Sequence, residues 1–409
     1  MASDLHGRYA AVPLREVPIG ASARRALLLA PLLLAVGAAC AGSPVSGVPP
    51  VAARPPGPFP NREVVFTHPN AAWHASHLAK LLELLAHAAP GSDVRLAVFL
   101  LDHPWLTDAL GAARRRGVDV HVVASSVSER TEERLRNALE VPGEPERVFV
   151  FPGGMGRKNH NKFAVFSKLD YPGERIRDVV FLSSGNFTRA SLRKHQNSLV
   201  LVDANLSRAY RAYWADLVEA GLEKQHRSDY LRTASSDDDT ARVHFFPRNR
   251  GDIVLEALEG ISLEKADRPG SIRIAMAHWR KERIGIADRL CELHTRGLDV
   301  QIAMRQASRF RDSGTDVEVV RRLRGCGVQV MELPKRRVNL HSKYMLVDAA
   351  YEGDETDAHR RIVWTGSPNF TEAALRRNDE ALLQIEDPNI FARYEDNFED
   401  LVREWRSLR

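Results

Sequence analysis

Two copies of a histidine and a lysine, separated by one residue, are the side chains in this sequence best suited to chemistry. His160 and Lys162 form the first pair, and His341 and Lys343 form the second. Both pairs lie in apolar stretches typical of β-strands, in which side chains two residues apart project from one face. An imidazole can act as a nucleophile or a general acid, and a neighbouring ammonium group can bind an anion. The pattern therefore indicates chemistry on a phosphate ester.

A second motif follows each pair and could add neutral hydrogen-bond donors to the same anion. It contains Ser184 and Asn186 in the first half, and Ser367 and Asn369 in the second. Hydroxyl and amide groups are suitable donors to phosphate oxygens. We therefore expect these four side chains to surround the same phosphate as the two histidine–lysine pairs.

A third polar position completes each set. Asn197 lies 11 residues after Asn186, and Glu380 lies 11 residues after Asn369. A lone His-x-Lys is weak evidence, because a random surface strand produces it often. Two copies of a five-part pattern instead predict two related halves that build one site.

The elements that must position these residues also occur twice, in the same order. In each half a strand pattern precedes a helix that ends at Arg-Gly, and a β-branched strand follows. These elements are expected over 94–100, 104–116 and 118–122 in the first half, and over 272–277, 285–295 and 298–302 in the second. Gly117 and Gly297 are suited to the left-handed residue that ends a helix. Such β-α-β units predict an α/β fold with two repeats, mixed sheets flanked by helices, and one active site shared across a pseudo-twofold axis.

Length and composition agree with a large folded protein. The chain has 409 residues, of which 44% are hydrophobic, 27% charged and 7% aromatic. These values exclude a disordered tail protein, a collagen-like repeat and a multi-pass membrane protein, and the length suggests two domains or two fused repeats. The net charge of +5 is a weak signal, because both signs are abundant.

The N-terminus has the composition of an export signal. Arg24 and Arg25 precede an apolar run over 26–41 that is too short to span about 30 Å of hydrocarbon as a helix. The arginine pair is similar to a twin-arginine signal, and the segment ending at Cys40 is similar to a lipoprotein cleavage box. We expect an exported protein that is secreted, periplasmic or lipid-anchored at the cell envelope, and both forms of processing stay open.

These patterns predict the organisation of the whole chain. The expected segments are a signal peptide over 1–42, a Pro/Gly/Ala-rich linker over 43–61, a first repeat over 62–234, a linker over 235–241 and a second repeat over 242–409.

At these motifs the sequence resembles the phospholipase D superfamily, whose mark is His-x-Lys-x4-Asp followed by a Gly/Ser/Asn segment, twice per active site. The second motif is complete and ends at Asp348, whereas Ser167 occupies the Asp position of the first. A similar asymmetry is found in the tyrosyl-DNA phosphodiesterase branch, where the first motif also lacks the Asp and an amide backs its histidine. The resemblance covers roughly residues 62–405 and implies a phosphodiesterase.

The residues and the resemblance together define a predicted site. The expected catalytic residues are His160, Lys162, Asn186, His341, Lys343 and Asn369. The expected supporting residues are Ser184, Asn197, Asp348, Ser367 and Glu380.

The charges of the third position suggest which histidine reacts. Glu380 is expected to raise the pKa of His341 and keep it as the general acid, whereas the Asn197 amide orients His160 without adding charge. His160 is therefore the expected nucleophile, forming a phosphohistidine. No metal and no cofactor are expected, because Lys162 and Lys343 supply the positive charge.

Other histidines and the cysteines give no zinc spacing. No pair has the His-x3-His or Cys-x2-Cys arrangement of a zinc site. His74 and His77 are interpreted as ordinary helix residues. Cys291 and Cys326 could form a disulfide after export or stay as two buried thiols, and their spacing does not decide between these states.

The substrate class is less specific in the sequence than the site. Basic residues precede both motifs, at 157–158 and 335–337, and they suit lipid headgroups and nucleic-acid backbones alike. Trp105 and Trp279 could contact a base, a choline or a membrane interface, or simply pack in the core. We expect hydrolysis of phospholipid headgroup diesters at a membrane surface by a monomer, with transfer to an alcohol also open. The alternatives are a secreted or periplasmic nuclease and a binding module without turnover.

Overall fold

The computed structural model describes residues 58–70, 72, 76–264, 268–308, 314–353 and 359–409. The predicted signal peptide, most of the 43–61 linker and His74 lie outside the described residues. All of the described residues lie in the compact unit over residues 44–409.

The first half builds a seven-stranded mixed sheet with the strand order β1-β8-β7-β6-β2-β3-β4. Its strands are β1 Arg62–Thr67, β2 Asp93–Leu100, β3 Asp119–Ser126, β4 Val148–Val150, β5 Lys158–Asn159, β6 Lys162–Tyr171, β7 Glu174–Ser183 and β8 Gln196–Val202. Its helices are α1 His77–Ala86, α2 Pro104–Arg115, α3 Glu129–Leu139 and α4 Ala204–Glu223, with a 3-10 turn over Arg189–Arg193. The strand β5 lies outside this sheet and pairs with the second half.

The second half builds its own mixed sheet, which follows the path β14-β13-β12-β15-β16-β18-β10-β9. Its strands are β9 Thr233–Ser235, β10 Ala241–Phe245, β11 Ile261–Ser262, β12 Ser271–Met276, β13 Asp299–Arg305, β14 Gln329–Leu333, β15 Lys343–Tyr351, β16 Arg360–Gly366, β17 Asn378–Asp379 and β18 Ala381–Glu386. Its helices are α5 Ile253–Glu259, α6 Ile284–Thr295, α7 Val317–Gly325, α8 Glu372–Arg376 and α9 Pro388–Ser407, with a 3-10 turn over Lys281–Arg283.

The predicted α/β fold with paired β-α-β units is confirmed. The strands β2 and β3 are parallel and joined by α2, and β12 and β13 are parallel and joined by α6. Gly117 and Gly297, which follow the two helices, adopt φ of +89° and +110°. This left-handed backbone is open to glycine without the steric cost of a side chain, as the sequence predicts.

The link between the halves differs from the expectation. The segment expected as a linker over 235–241 forms part of an antiparallel hairpin instead, with residues 236–240 as the turn between β9 and β10 of the second sheet. Asp238 holds this turn by accepting hydrogen bonds from Ser236 and Thr240. The chain therefore crosses between the two sheets before Thr233, after α4.

Buried apolar residues form three clusters, one on the outer face of each sheet and one between the two sheets. The first sheet packs one face on α1, α2 and α3, and the second packs one face on α5, α6 and α7. The remaining faces meet in a shared core with the two 20-residue helices α4 and α9. Asp203 and Asp387 cap these helices, accepting one and two backbone N–H groups of the first turn respectively. The shared core holds the two halves in one body.

Two further observations concern the second half and the chain as a whole. Cys291 and Cys326 form a disulfide that connects α6 to the end of α7, which resolves the alternative left open by their spacing. Among the described residues, no helix combines the length and the apolar character needed to cross a membrane.

Phe245 tests the shared core. Its side chain is 2% exposed, and its ring stacks on Tyr213 at 4.3 Å and meets the edge of Tyr210 at 5.1 Å. We expect Phe245→Ala to lower the free energy of unfolding by about 3 to 5 kcal/mol, because it leaves a cavity in the shared core. Denaturant unfolding of the full chain measures this change.

Val141→Ala is the matched control, since Val141 is 45% exposed and should change stability by less than about 0.5 kcal/mol. A loss of less than about 1 kcal/mol in Phe245→Ala would contradict a shared core of this kind.

Candidate active site

Backbone hydrogen bonds between the two halves bring the two histidines to one place. The His160 N–H donates to the Asp379 carbonyl at 2.9 Å, where β5 pairs with β17. In the same way the His341 N–H donates to the His195 carbonyl at 2.9 Å. The backbone at the start of each His-x-Lys motif is therefore hydrogen-bonded to the opposite half of the chain. These two backbone crossings between the halves are equivalent under the pseudo-twofold axis.

A carboxylate of the second half backs the histidine of the first half. Nδ1 of His160 lies 2.8 Å from Oε2 of Glu380, whose side chain is fully buried. The other carboxylate oxygen accepts a hydrogen bond from the Asn378 amide at 3.1 Å. Glu380 therefore fixes the ring of His160 and leaves its Nε2 as the nitrogen available to a substrate.

An amide of the first half backs the histidine of the second half. Nδ1 of His341 lies 2.8 Å from Oε1 of Gln196. The Gln196 amide is itself held, because Nε2 donates to the Ser191 carbonyl at 3.3 Å and Oε1 accepts from Ser184 at 3.2 Å. Gln196 is neutral, so it orients His341 without adding a charge. The sequence spacing did not indicate this role of Gln196.

The expected partners of the two histidines are therefore wrong and need correction. Glu380 backs His160 rather than His341, and Asn197 backs neither. The Asn197 N–H donates to Ser184 Oγ at 3.0 Å, as the Ala381 N–H does to Ser367 Oγ at 3.1 Å. Asn197 thus corresponds to Ala381, and the counterpart of Glu380 is Gln196. The equal spacings of 11 misled because the second half carries one additional residue in the segment that contains α8.

Asn197 supports the second motif from behind. Its Oδ1 accepts the Lys343 N–H at 2.9 Å, and its Nδ2 donates to Thr365 Oγ1 at 2.6 Å. Ser184 and Ser367 also stabilise the backbone of the site. Their hydroxyls accept backbone N–H groups from β8 and β18, the strands that begin at or directly after the residues that orient the two histidines. These three expected supporting residues therefore lie at the site but hold its framework.

Asp348 lies away from the site, contrary to the expectation. It is five residues along β15 from Lys343, which corresponds to about 17 Å of strand. Its carboxylate accepts hydrogen bonds from Arg268 at 2.7 Å and Arg361 at 3.2 Å, and it lies 2.8 Å from His359 Nδ1. The acidic residue of the motif therefore stabilises the far end of the sheet.

Two buried lysines give the site an excess of positive charge. Burial lowers the pKa of Lys162 to about 7, although Glu380 acts in the opposite direction. Burial, followed by the charge of Lys162, lowers the pKa of Lys343 well below its ordinary value. Lys343 Nζ also donates to the carbonyls of Ser184 at 3.1 Å and His341 at 2.8 Å. An anion that enters the site would relieve this repulsion.

Because Glu380 lies beside His160 and not beside His341, the charge-based reason for expecting His160 to be the nucleophile no longer holds, and burial lowers the pKa of both imidazoles. The assignment of His160 stays a prediction, and its support is now the orientation of the ring by Glu380. Burial lowers the pKa of His160 to about 4, with Glu380 opposing and Lys162 adding to the shift. Burial would raise the pKa of Glu380, but His160 and Lys162 outweigh it and leave the pKa below its usual value. A neutral His160 can then donate Nδ1–H to an ionised Glu380 and keep a lone pair on Nε2.

The side-chain amides of the two motif asparagines are not held through their oxygens. The amide oxygens of Asn186 and Asn369 are buried and have no hydrogen-bond partner within the described part of the chain. The backbone at Asn186 is held, because its carbonyl lies 2.9 Å from His77 Nε2 while His77 Nδ1 contacts Thr67. His77 is therefore a positioning residue for the Asn186 loop rather than an ordinary helix residue.

Aromatic residues at the site differ from those considered in the sequence. Phe99, at the end of β2, lies with its ring centroid 5.0 Å from that of His160 and 5.2 Å from Lys162 Nζ. Trp279 is fully buried and packs on Phe370, so it belongs to the core. Trp105 packs against His103 at the surface end of α2. Nothing in the sequence distinguishes Phe99 from other strand residues.

The titration of His160 tests the electrostatic account. We expect its imidazole to titrate near pH 4 in the free protein, because burial penalises the charged ring. In Glu380→Gln the pKa should fall further, since the carboxylate that favours the charged ring is lost. NMR of ¹⁵N-histidine-labelled protein measures both values, with His226→Gln, which removes an exposed histidine, as the matched control. A pKa of His160 at or above its ordinary value of 6.5 would contradict the account.

Comparison with known proteins places this geometry in a family. A family model described as "Cardiolipin synthase, PLD-like domain" matches the chain twice, over residues 81–217 and 262–402. The first match contains His160 and Lys162, and the second contains His341 and Lys343. Together the two matches cover more than half of the chain.

One curated relative and two solved structures are similar to parts of the chain. The mitochondrial cardiolipin hydrolase of Chlamydomonas reinhardtii is 26% identical over 116 residues, which are 28% of this chain and less than half, 45%, of that protein. The phosphatidylserine synthase of Haemophilus influenzae Rd KW20 has a TM-score of 0.56 at 13% identity. The match covers 83% of this chain and 86% of the synthase chain. The polyphosphate kinase of Porphyromonas gingivalis has a TM-score of 0.55 at 17% identity. The match covers 84% of this chain and 47% of the kinase chain. At these identities the two structures show the fold alone.

The chain contains two copies of the domain, each with one His-x-Lys motif and each supplying the side chain that orients the histidine of the other copy. This arrangement agrees with the expectation of two motifs in one active site. The chain belongs to the phospholipase D superfamily, within the family of the cardiolipin synthase PLD-like domain.

Proposed function

We propose that this protein is an exported phosphodiesterase that hydrolyses phospholipid headgroup diesters through a phosphohistidine formed on His160. The observation that carries the proposal is the 2.8 Å contact between His160 Nδ1 and the buried Glu380 carboxylate, which directs Nε2 toward a substrate. Two buried lysines beside this imidazole bind the charge that a phosphodiester brings.

The first step forms a nitrogen–phosphorus bond and breaks a phosphorus–oxygen bond. Nε2 of His160 attacks phosphorus, and the leaving alcohol oxygen takes a proton from the protonated ring of His341. Burial and Lys343 hold the pKa of His341 well below its ordinary value in the free protein. The negative charge of a bound diester favours the protonated ring and so supplies the acid when substrate is present.

The second step returns the protein to its starting state. His341, now neutral, takes a proton from water, and the resulting hydroxide attacks phosphorus while the bond to His160 breaks. With an alcohol in place of water, the same step transfers the phosphatidyl group. Lys162, Lys343 and the amides of Asn186 and Asn369 stabilise the negative charge that develops on the phosphate oxygens.

The choice of phospholipid rests on three supports. The matched family and two of the similar proteins are named for lipids, namely a cardiolipin synthase domain, a cardiolipin hydrolase and a phosphatidylserine synthase. The predicted export signal would bring the protein to the cell envelope. Exposed basic residues, among them Lys158, Lys335 and Arg336, could bind anionic headgroups at a membrane surface. One chain supplies both halves of the site, so we propose that a monomer is active.

The same exposed cations favour a second candidate, a nuclease of the same mechanism, because they would also bind a nucleic-acid backbone. A phosphate-binding module without turnover is a third reading, which the intact His160, Lys162 and Asn186 disfavour.

Product release distinguishes these functions. The full chain is incubated in chelator with vesicles of phosphatidylcholine or cardiolipin and, separately, with single-stranded and plasmid DNA. We expect release of phosphatidic acid from lipid, lowered by at least about 1,000-fold in His160→Gln, because the nucleophile is lost. His226→Gln, which changes an exposed histidine, is the matched control and should retain activity.

DNA cleavage without lipid hydrolysis would transfer the protein to the nuclease function. Binding of lipid without product in any assay would support the module. Equal activity of His160→Gln and the parent would overturn the proposal.

The pH dependence of the reaction gives a further test. In the free protein His160 becomes charged below about pH 4, and Lys162 loses its charge above about pH 7. Since kcat/KM reports groups of the free enzyme, we expect it to fall below the first value. With rising pH it should fall by the second value at the latest, because the acid His341 also has a lowered pKa and must be protonated to react. The alkaline fall in kcat should lie at higher pH, because the bound phosphate stabilises the charged lysine. A kcat/KM that rises steadily from about pH 6 to about pH 9 would contradict these assignments.

A further inference from the structure

Three side chains that commonly bind metals lie together behind the support of His341. They are His68, His195 and Glu404, and one ligand atom of each lies within 4.8 Å of the other two. Nε2 of His195 is 3.1 Å from Oε2 of Glu404. The rings of His68 and His195 meet edge to face, with their centroids 5.2 Å apart.

The three residues come from distant parts of the chain. His68 directly follows β1, His195 directly precedes β8, and Glu404 lies in α9. The chain separation between His195 and Glu404 is 209 residues. Sequence spacing therefore gave no sign of this cluster.

His195 is held rigidly at the centre of the cluster. Its N–H donates to the Asn339 carbonyl at 3.0 Å, and its carbonyl accepts the His341 N–H at 2.9 Å. Its side chain is 1% exposed, and its Nδ1 has no hydrogen-bond partner in the described part of the chain. Nε2 is the nitrogen of His195 that faces Glu404 and is placed to bind an ion there.

We infer that His68, His195 and Glu404 bind a divalent transition metal ion of the zinc class. Two imidazole nitrogens and one carboxylate oxygen are a donor set that suits Zn²⁺, with water in a fourth position. The side chain of Glu404 is 39% exposed and that of His68 is half-buried, so both can move the short distance needed to approach a common ion. His195 is the fixed ligand toward which they move.

The ion has a structural part and no part in the phosphodiester reaction. It ties the C-terminal helix of the second half to the edge strand and the β8 strand of the first half. It also fixes His195, the residue before Gln196, and so steadies the amide that orients His341. The inference is independent of the proposed substrate, because it concerns a cluster outside the reacting groups.

Retention of zinc by the folded protein tests the site. The full chain is treated with chelator, equilibrated with excess Zn²⁺, passed through gel filtration and assayed for zinc by mass spectrometry. We expect about one tightly held Zn²⁺ per chain, and affinity lowered by at least about tenfold in both His68→Gln and Glu404→Gln. His226→Gln removes an exposed histidine outside the cluster and should bind zinc as the parent does.

A second probe keeps the test independent of stability. Co²⁺ replaces Zn²⁺, and its visible absorption reports the ligands directly, with circular dichroism confirming that each variant is folded. A visible band in the parent that is lost in folded His68→Gln supports the inference. Zinc retention that is equal in parent, His68→Gln and Glu404→Gln, or absent from the parent, would overturn it.

Discussion

The buried carboxylate of Glu380 faces two buried lysines and the imidazole that it orients. Burying charges in this way is costly, because the interior does not solvate them. The free energy of packing the shared apolar core around α4 and α9 offsets the cost of burying Lys162 and Lys343, and the same core fixes both halves around the site. An incoming phosphate supplies the missing negative charge, so the same imbalance that opposes folding favours binding of the substrate.

The second constraint is that neither half can complete its own histidine. Glu380 of the second half orients His160, and Gln196 of the first half orients His341. The backbone crossings at Asp379 and His195 put these partners in register. The difference between a carboxylate and an amide then gives two similar histidines different electrostatic surroundings, which is what a nucleophile and a general acid require.

Local patterns in the sequence predicted the β-α-β units, their glycine caps and both His-x-Lys pairs, because these depend on residues near one another in the chain. The partners of the histidines depend on how one half docks on the other. The single extra residue near α8 shifted the apparent match from Gln196 to Asn197. Asp348 was misplaced for a related reason, since a motif shows which residues recur but not how far a strand carries them from the site. The cluster of His68, His195 and Glu404 combines three distant segments and leaves no pattern.

The central claim is that the carboxylate-backed His160, not His341, takes the phosphoryl group. The most direct test uses a p-nitrophenyl phosphodiester, whose leaving group needs no acid, with His341→Ala, which lacks the group that activates water. After an alkaline quench, peptide mass spectrometry locates any phosphohistidine. The account predicts an adduct on His160 that accumulates in His341→Ala and is absent from His160→Ala. An adduct on His341 in His160→Ala would contradict it.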